Sequence, residues 1–306
     1  MTAEQPPVSV VVPTRDRPQL LRRAVAAICG QTYQGPIECV VVFDQSDPEL
    51  PWPELPPGRR LVLVRNRRTP GLAGARNSGI LAATGELVAF CDDDDEWLPE
   101  KLARQVAWLA ATPSAAVATT GILVRYQDRT TTRLAPSILV THGQLLRSRL
   151  TELHPSTVLV RRRQLLEQIG LVDEQIPGSY AEDYEWLLRA SRHAPVLAVP
   201  QPLALIHWHQ SSFFADRWRT IIAALTYLVD KHRDLQQEPS GLARIYGQIA
   251  FAHAALGERG PARRWARRTL ALDRRERRAY LALAISLGVV RTATVVRLAH
   301  AAGKGI

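Results

Sequence analysis

Cysteine is scarce in this chain of 306 residues: it has three, Cys29, Cys39 and Cys91, an odd number without CxxC spacing. That excludes a disulfide framework and a cysteine zinc site, and reads as small buried hydrophobes in a reducing compartment. Long apolar runs are missing as well. The uncharged stretch at residues 279–290 ends at Arg291 after twelve residues, short of the roughly 20 that span a bilayer. Residues 1–7 carry neither a basic nor an apolar signal region, so a cytoplasmic protein is expected. The glycine-rich segment at residues 71–79 fits neither GxGxxG nor GxxxxGK(S/T), which leaves a nicotinamide fold and a P-loop unsupported. Disorder is excluded by 46% hydrophobic and 22% charged residues.

The net charge of +10 is unevenly placed. Residues 1–215 contain 22 basic and 22 acidic side chains, whereas residues 216–306 contain 17 and 7. This asymmetry predicts two modules, residues 1–215 and a basic region at 216–306 that either meets something anionic or is simply an arginine-rich solvated surface.

β-branched runs at residues 8–12, 38–43, 60–64 and 87–91 alternate with helical spacing at 18–30, 74–83 and 99–111. Such alternation predicts an α/β fold with a mainly parallel sheet and helices on both faces. Further strands are expected at 117–126 and 156–161, a short helix at 163–169, a helix at 180–192, and extended chain at 196–207 broken by Pro200 and Pro202. Beyond residue 214 only helical periodicity remains, at 218–231, 242–256, 262–272 and 278–287. Gly257, Ala262, Ala266 and Leu270 resemble one tetratricopeptide-type hairpin, and a single copy makes a helical appendage, not a solenoid.

Ligands of open parallel sheets bind beyond the carboxyl ends of the strands. There the chain places residues 13–17, 44–47 and the acidic run Asp92, Asp93, Asp94, Asp95. In an extended segment side chains alternate, so Asp92 and Asp94 would share one side and Asp93 and Asp95 the other. Paired carboxylates suit a hard cation, Mg2+ or Mn2+, completed by a substrate diphosphate. A helix cap needs one such acid, not four, and no EF-hand spacing is present. In the glycine segment, the glycines permit either close approach to a ligand or tight packing, with Arg76 and Asn77 at the entry to a helix. His207 and His209 would share a face of a strand and could ligate a metal together. Trp97, Trp186 and Trp208 suit packing first and sugar stacking second.

Residues 8–13, Asp44, residues 71–79 and residues 90–97 (Phe-Cys-Asp-Asp-Asp-Asp-Glu-Trp) fall in the order and spacing of the family 2 glycosyltransferases with a GT-A fold. Residues 156–162 followed by 170–174 resemble that family's middle segment. Residues 181–189 (Ala-Glu-Asp-Tyr-Glu-Trp-Leu-Leu-Arg) resemble its Glu-Asp motif, and residues 202–209 its closing segment, which ends in a histidine. The likeness covers roughly residues 7–215. It implies that Asp44 hydrogen-bonds the nucleobase or ribose, with Pro13, Thr14 and Arg15 lining the base pocket. It places Asp92 and Asp94 at the outer positions of a DxD motif, with Asp94 the direct metal ligand and His209 a further metal or diphosphate contact. Arg76 and Asp93 join the donor-binding residues, and Asp183 matches the catalytic base. Where the family often has Asp-Asp-Gly-Ser, this chain has Phe43-Asp-Gln-Ser46, which leaves the base open between uridine, guanosine and thymidine.

The activity so implied is inverting, metal-dependent transfer of a sugar from a nucleoside-diphosphate donor to an acceptor hydroxyl on a glycan, lipid-linked or small-molecule acceptor, in polysaccharide or glycoconjugate synthesis. A single carboxylate opposite the leaving group gives inversion, and Asp183, remote in sequence from the acidic run, suits that base. Glu182 and Asp183 would equally suit a helix N-terminus. A sugar-phosphate nucleotidyltransferase would carry a glycine-rich loop after the first strand, and residues 13–18 have no glycine. A binding module is the other rival. The basic region lacks RNP and zinc-finger signatures, so sequence-specific nucleic-acid recognition is unsupported. Arg263, Arg264, Arg267, Arg268, Arg274, Arg275, Arg277 and Arg278 could instead meet the anionic inner face of a membrane.

Overall fold

Seven consecutive buried residues, Val8–Thr14, form β1, and seven more, Ile37–Phe43, form β2. Strands this apolar must be covered on both faces. Helix α1 (Pro18–Cys29) connects them. Pro18 opens it, and Leu21, Ala24, Val25 and Ile28 turn toward the sheet. Strand β3 (Arg59–Arg65) pairs outside β2, α2 (Leu72–Ala82) crosses back, and β4 (Leu87–Phe90) pairs with β1 on its other side. The order β3-β2-β1-β4 is wholly parallel and reverses direction at β1. Such a switch opens a crevice at the carboxyl ends of the strands. The computed structural model describes residues 5–48, 52, 54–127, 129–208 and 217–301.

Beyond β4 come β5 (Glu96–Trp97), α3 (Lys101–Ala111), β6 (Val117–Tyr126), β7 (Arg129–Arg133), β8 (Leu139–Val140) and α4 (His142–Arg147). A 3-10 turn at Pro155–Thr157 leads into β9 (Leu159–Arg161) and α5 (Arg162–Gln164), which runs into a π turn at Leu165–Ile169. Helix α6 (Glu182–His193) and strand β10 (Val196–His207) follow. Strand β9 is antiparallel to both β4 and β6, and β10 runs parallel to β6, so the sheet continues as β4-β9-β6-β10-β5. The register of β10 shifts around Pro202, where proline cannot donate to the ladder. The expected strand at residues 156–161 is therefore half turn, and the break at the prolines is a bulge inside one strand.

Two glycines of α2 permit close packing, Gly74 against the loop that enters the helix and Gly79 against the sheet. A Cβ on Gly74 would sit 1.9 Å from the Thr69 carbonyl oxygen, and one on Gly79 would sit 2.2 Å from Val11 Cγ1. Of the two sequence readings of this segment, these positions serve tight packing.

The chain forms two compact units. One comprises Met1–His142, Leu150–Glu174 and Glu182–Trp208; the other comprises Gly143–Arg149, Gln175–Ala181 and His209–Ile306. The second contains α7 (Trp218–Lys231), α8 (Pro239–Ala255), α9 (Arg259–Leu272), α10 (Arg277–Ser286) and α11 (Thr292–Ala301). Ala250, Ala254, Ala262, Ala266, Ala279 and Ala282 form the shared core of α8, α9 and α10, small side chains that let the helices approach. Among the described residues, no helix is long and apolar enough to cross a membrane.

Lys101, on α3, is fully buried without an acidic partner among the described residues: Nζ lies 3.7 Å from the centre of the Trp97 ring and donates to Gln105 Oε1 at 2.7 Å. Gln105 in turn donates to the carbonyls of Ala118 and Thr157. Burial pulls the lysine down to about 7 from its ordinary 10.5. Below pH 7 folded and unfolded chains both carry the ammonium, and its desolvation opposes folding in full. Between 7 and 10.5 the unfolded chain holds more protons, so stability rises with pH. Lys101→Met is expected to raise the melting temperature most near pH 7, and that gain should shrink toward pH 10.5 in a series of thermal melts.

Candidate active site

The acidic run does not continue β4 as an extended segment. It turns: the Asp95 amide donates to the Asp92 carbonyl at 3.2 Å, an i to i+3 closure. The alternation expected of extended chain is replaced accordingly. Asp92 and Asp95 fall on one side with His154, each offering a ligand atom within 4.8 Å of the others. Asp93 and Asp94 share the Arg17 guanidinium, whose Nη1 lies 3.3 and 3.1 Å from them. Thr14, at the end of β1, donates its hydroxyl to Asp93 at 2.7 Å.

Ser156 fastens both ends of this turn. Its hydroxyl donates to Asp95 Oδ2 at 2.5 Å and accepts the Asp92 amide at 3.0 Å, while its carbonyl accepts Trp97 Nε1 at 2.7 Å. The His207 amide also donates to Asp95. Burial, and then the other acids, push all three later carboxyls upward: Asp93 to about 6, Asp94 above its ordinary 3.8, and Asp95 well above it. Arg17 and the Thr14 and Ser156 hydroxyls offset only part of that. Burial also holds His154 below its ordinary 6.5 against the pull of Asp92, which favours a neutral imidazole. Two carboxylate oxygens and an imidazole nitrogen, in a site rich in negative charge, are a donor set that fits Mn2+ or Mg2+.

Arg76 projects from α2 into the interior, its side chain 3% exposed. One guanidinium nitrogen donates to Glu182 and another to Asp92 at 2.7 Å, and the Asp183 charge acts on it as well. It is thus an anchor between the acidic turn and the start of α6. Its Nε has no partner among the described residues. Burial raises Glu182 to about 7 despite Arg76. Asp183, in the first turn of α6, lines with Arg76 an otherwise apolar cavity walled by Phe90, Leu153, Val158 and Trp186.

A second concavity lies at the carboxyl ends of β1 and β2, bordered by Thr14, Arg17, Arg22, Phe43, Ser46 and Trp52. Asp16 and Gln45, beside it, hold left-handed backbone conformations (φ 53° and 55°), as residues at binding turns often do. Ser46 Oγ and Trp52 Nε1 are buried with no hydrogen-bond partner among the described residues. The Asp44 carboxylate is turned to the protein: it accepts Asn66 Nδ2 at 2.7 Å, and the Gly71 amide and Gln45 Nε2 at 3.0 Å each.

The structure therefore brings together Thr14, Arg76, Asp92, Asp93 and Asp94, with Asp44 tied to Thr14 through a 2.9 Å backbone hydrogen bond. Pro13 is buried within β1. Arg15 is exposed and lies 3.7 Å from Asp16. His209 lies outside the described residues. His207 Nε2 is paired with Glu96 at 2.6 Å, which Arg23 also reaches. Trp97 and Trp186 are core residues, and Trp208 packs edge-on against Tyr126. The sequence reading put Arg17 and Ser46 among the strand-end residues without giving either a role, and it missed His154, Trp52 and the part played by Ser156. His154 precedes and Ser156 opens the segment read as a strand at 156–161, and the signal available was a polar His-Pro-Ser-Thr start before its apolar run.

Because Ser156 is fully buried and holds two groups of the acidic turn, Ser156→Ala should cost about 1–3 kcal/mol. Denaturant titration checks that loss, and Mn2+ titration of the folded variant should register weaker binding than the parent.

Residues 9–170 match the profile of the family described as Glycosyl transferase family 2. The chain is 26% identical over 198 residues to the uncharacterized glycosyltransferase YwdF of Bacillus subtilis, covering 63% of this chain and 71% of that one. It is 30% identical over 103 residues to the Escherichia coli UDP-Glc:alpha-D-GlcNAc-diphosphoundecaprenol beta-1,3-glucosyltransferase WfgD, covering 33% of this chain and 40% of that one. Among solved structures, S. aureus TarS 1-349 in complex with UDP-GlcNAc superimposes with a TM-score of 0.62 at 17% identity, over 97% of this chain and 92% of that one. With the profile match spanning more than half its length, and an α/β sheet shared with these neighbours, the chain belongs to glycosyltransferase family 2.

Proposed function

We propose that this glycosyltransferase moves a sugar from a nucleoside diphosphate to an acceptor hydroxyl with inversion at the anomeric carbon, and that Mg2+ or Mn2+ is held at the acidic turn. The observation that carries the reading is the buried Arg76, which ties Asp92 to the Glu182–Asp183 segment. It puts the carboxylates suited to the donor's diphosphate and the carboxylate suited to a general base on one frame.

Asp92, Asp95 and His154 are the residues that would hold the cation, with Asp94 at the rim beside Arg17. When bound, it would supply charge stabilisation to the departing diphosphate. Arg17, nearly half exposed, adds a second positive group on the same side. Asp183 takes the proton of the acceptor hydroxyl as its oxygen attacks the anomeric carbon and the bond from that carbon to the diphosphate oxygen breaks. Arg76, bonded to the neighbouring Glu182, fixes the start of α6 from which Asp183 projects. The groove at the ends of β1 and β2 receives the base, with the Trp52 ring as a stacking face and Ser46 Oγ and Trp52 Nε1 as open partners for its edge.

The names of relatives support this reading. WfgD is named for transfer to a diphosphoundecaprenol-linked sugar, and an Erwinia amylovora relative for amylovoran biosynthesis. The TarS neighbour was solved with UDP-GlcNAc and a Pyrobaculum calidifontis mannosyltransferase with GDP-Man and Mn2+. We infer a sugar-chain acceptor, lipid-linked, in polysaccharide assembly.

Asp183→Asn should lower kcat by about 10²–10⁴-fold while leaving donor affinity unchanged, the signature of lost proton abstraction. Near-parental turnover in that variant would remove Asp183 from the mechanism. Trp52→Ala should raise the donor KM by about tenfold or more with little change in kcat. Repeating that measurement with uridine and guanosine diphosphate sugars identifies the base.

A further inference from the structure

The helical unit has a face that the transfer reading leaves unused. On α9, Arg264, Arg267, Arg268 and Leu272 recur at helical spacing on the side opposite the buried Ala262, Ala266 and Thr269. On α10, Arg277 and Tyr280 are exposed while Ala279, Ala282 and Ser286 are buried, and Leu287 caps its C-terminal end. Arg264, Arg267, Arg274, Arg275 and Arg277 are exposed, and none has a carboxylate partner among the described residues. Arg268 instead stacks over Trp265 and Tyr246. Beside these cations stand apolar side chains that the fold leaves in water: Tyr280 at 52%, Leu287 at 65% and Val289 at 75% exposure.

Solvated arginines alone would need no explanation. Unpaired arginines adjoining large exposed aliphatic side chains combine the two attractions of an interfacial surface: charge toward anionic head groups, and apolar area for the acyl boundary. We propose that the outward face of α9 and α10, residues 264–289, docks on an anionic lipid bilayer and holds the enzyme at the membrane surface. The choice of lipid over another polyanion rests on the reading above, in which the acceptor is lipid-linked. Aliphatic groups at the end of α10 support it independently, since a nucleic-acid backbone offers them nothing to bury in. No described helix can cross the bilayer, so attachment is peripheral and reversible.

The test is co-sedimentation of the full chain with phosphatidylcholine vesicles and with vesicles of phosphatidylcholine and phosphatidylglycerol, without donor or acceptor. Binding should require the anionic lipid and weaken as salt shortens the screening length. Each basic residue near such a surface is worth about 1 kcal/mol, so Arg264→Gln/Arg267→Gln/Arg277→Gln should lower partitioning by roughly 100-fold. Leu287→Ser/Val289→Ser should weaken what binding survives at high salt. Equal binding to both vesicle types, or no loss in the arginine variant, would overturn the proposal. So would light scattering in which Leu287→Ser/Val289→Ser turns a dimer into a monomer, because the face would then belong to a second copy. Loss of RNA binding without loss of vesicle binding in the arginine variant would also overturn it. Donor affinity should be unchanged in both variants, which certifies their folding. Failure here leaves the transfer reading standing, which fails instead on Asp183→Asn.

Discussion

Four consecutive carboxyls at the end of a buried strand are the constraint around which the first unit is arranged. Removing such charges from water costs several kcal/mol each unless partners replace the lost hydration. The protein supplies partners from distant parts of the chain: Thr14 and Arg17 from the end of β1, Arg76 from α2, Ser156 and His154 from the segment before β9, and the backbone of β10. Every one of these comes from an element that the sheet order must first bring to the same edge. What those partners do not offset shows in the raised carboxyls of Asp93 and Asp95, where burial comes first and the neighbouring acids add to it.

The neutralisation is also divided. Arg76 is sealed inside and spent on Asp92 and Glu182, so it fixes the distance between the acidic turn and the start of α6. Arg17 stands at the rim, and its hold on Asp93 and Asp94 is exposed to solvent and to any ligand that arrives. A buried arginine between two acids is costly to break, because each partner would be left uncompensated. A rim arginine can exchange partners cheaply. Two side chains of the same type thus divide framework from response.

The helical unit is held by a different device. An alanine core brings α8, α9 and α10 close but buries little area per residue, so many larger side chains stay outside. Its arginines find few acidic neighbours because the sequence from residue 216 onward has few to offer, 7 against 17 basic side chains. The positive surface is therefore fixed by composition, whereas the exposure of Leu287 and Val289 is decided by the turn that follows α10.

The parallel half of the sheet was legible in the residues because strands covered on both faces must be mostly apolar, and residues 8–12, 38–43, 60–64 and 87–91 are, with only Ser9, Glu38 and Arg60 interrupting them. The helices of the basic region were legible by the same logic of periodicity. Short polar elements were not: β7, five threonine and arginine residues of which four are exposed, and the two-residue β5 and β8 exist only because a neighbouring strand supplies their hydrogen bonds. The acidic run announced a site but not its geometry. Whether Asp92 pairs with Asp94 or with Asp95 depends on a turn pinned by Ser156, sixty-odd residues away. Likewise Arg76 reads as a residue at a helix entry, and only packing against α6 makes it an anchor. Local sequence dictated which elements form and which chemistry gathers at their ends; pairings between distant side chains waited for the tertiary fold, because burial and partner distance are properties of no single segment.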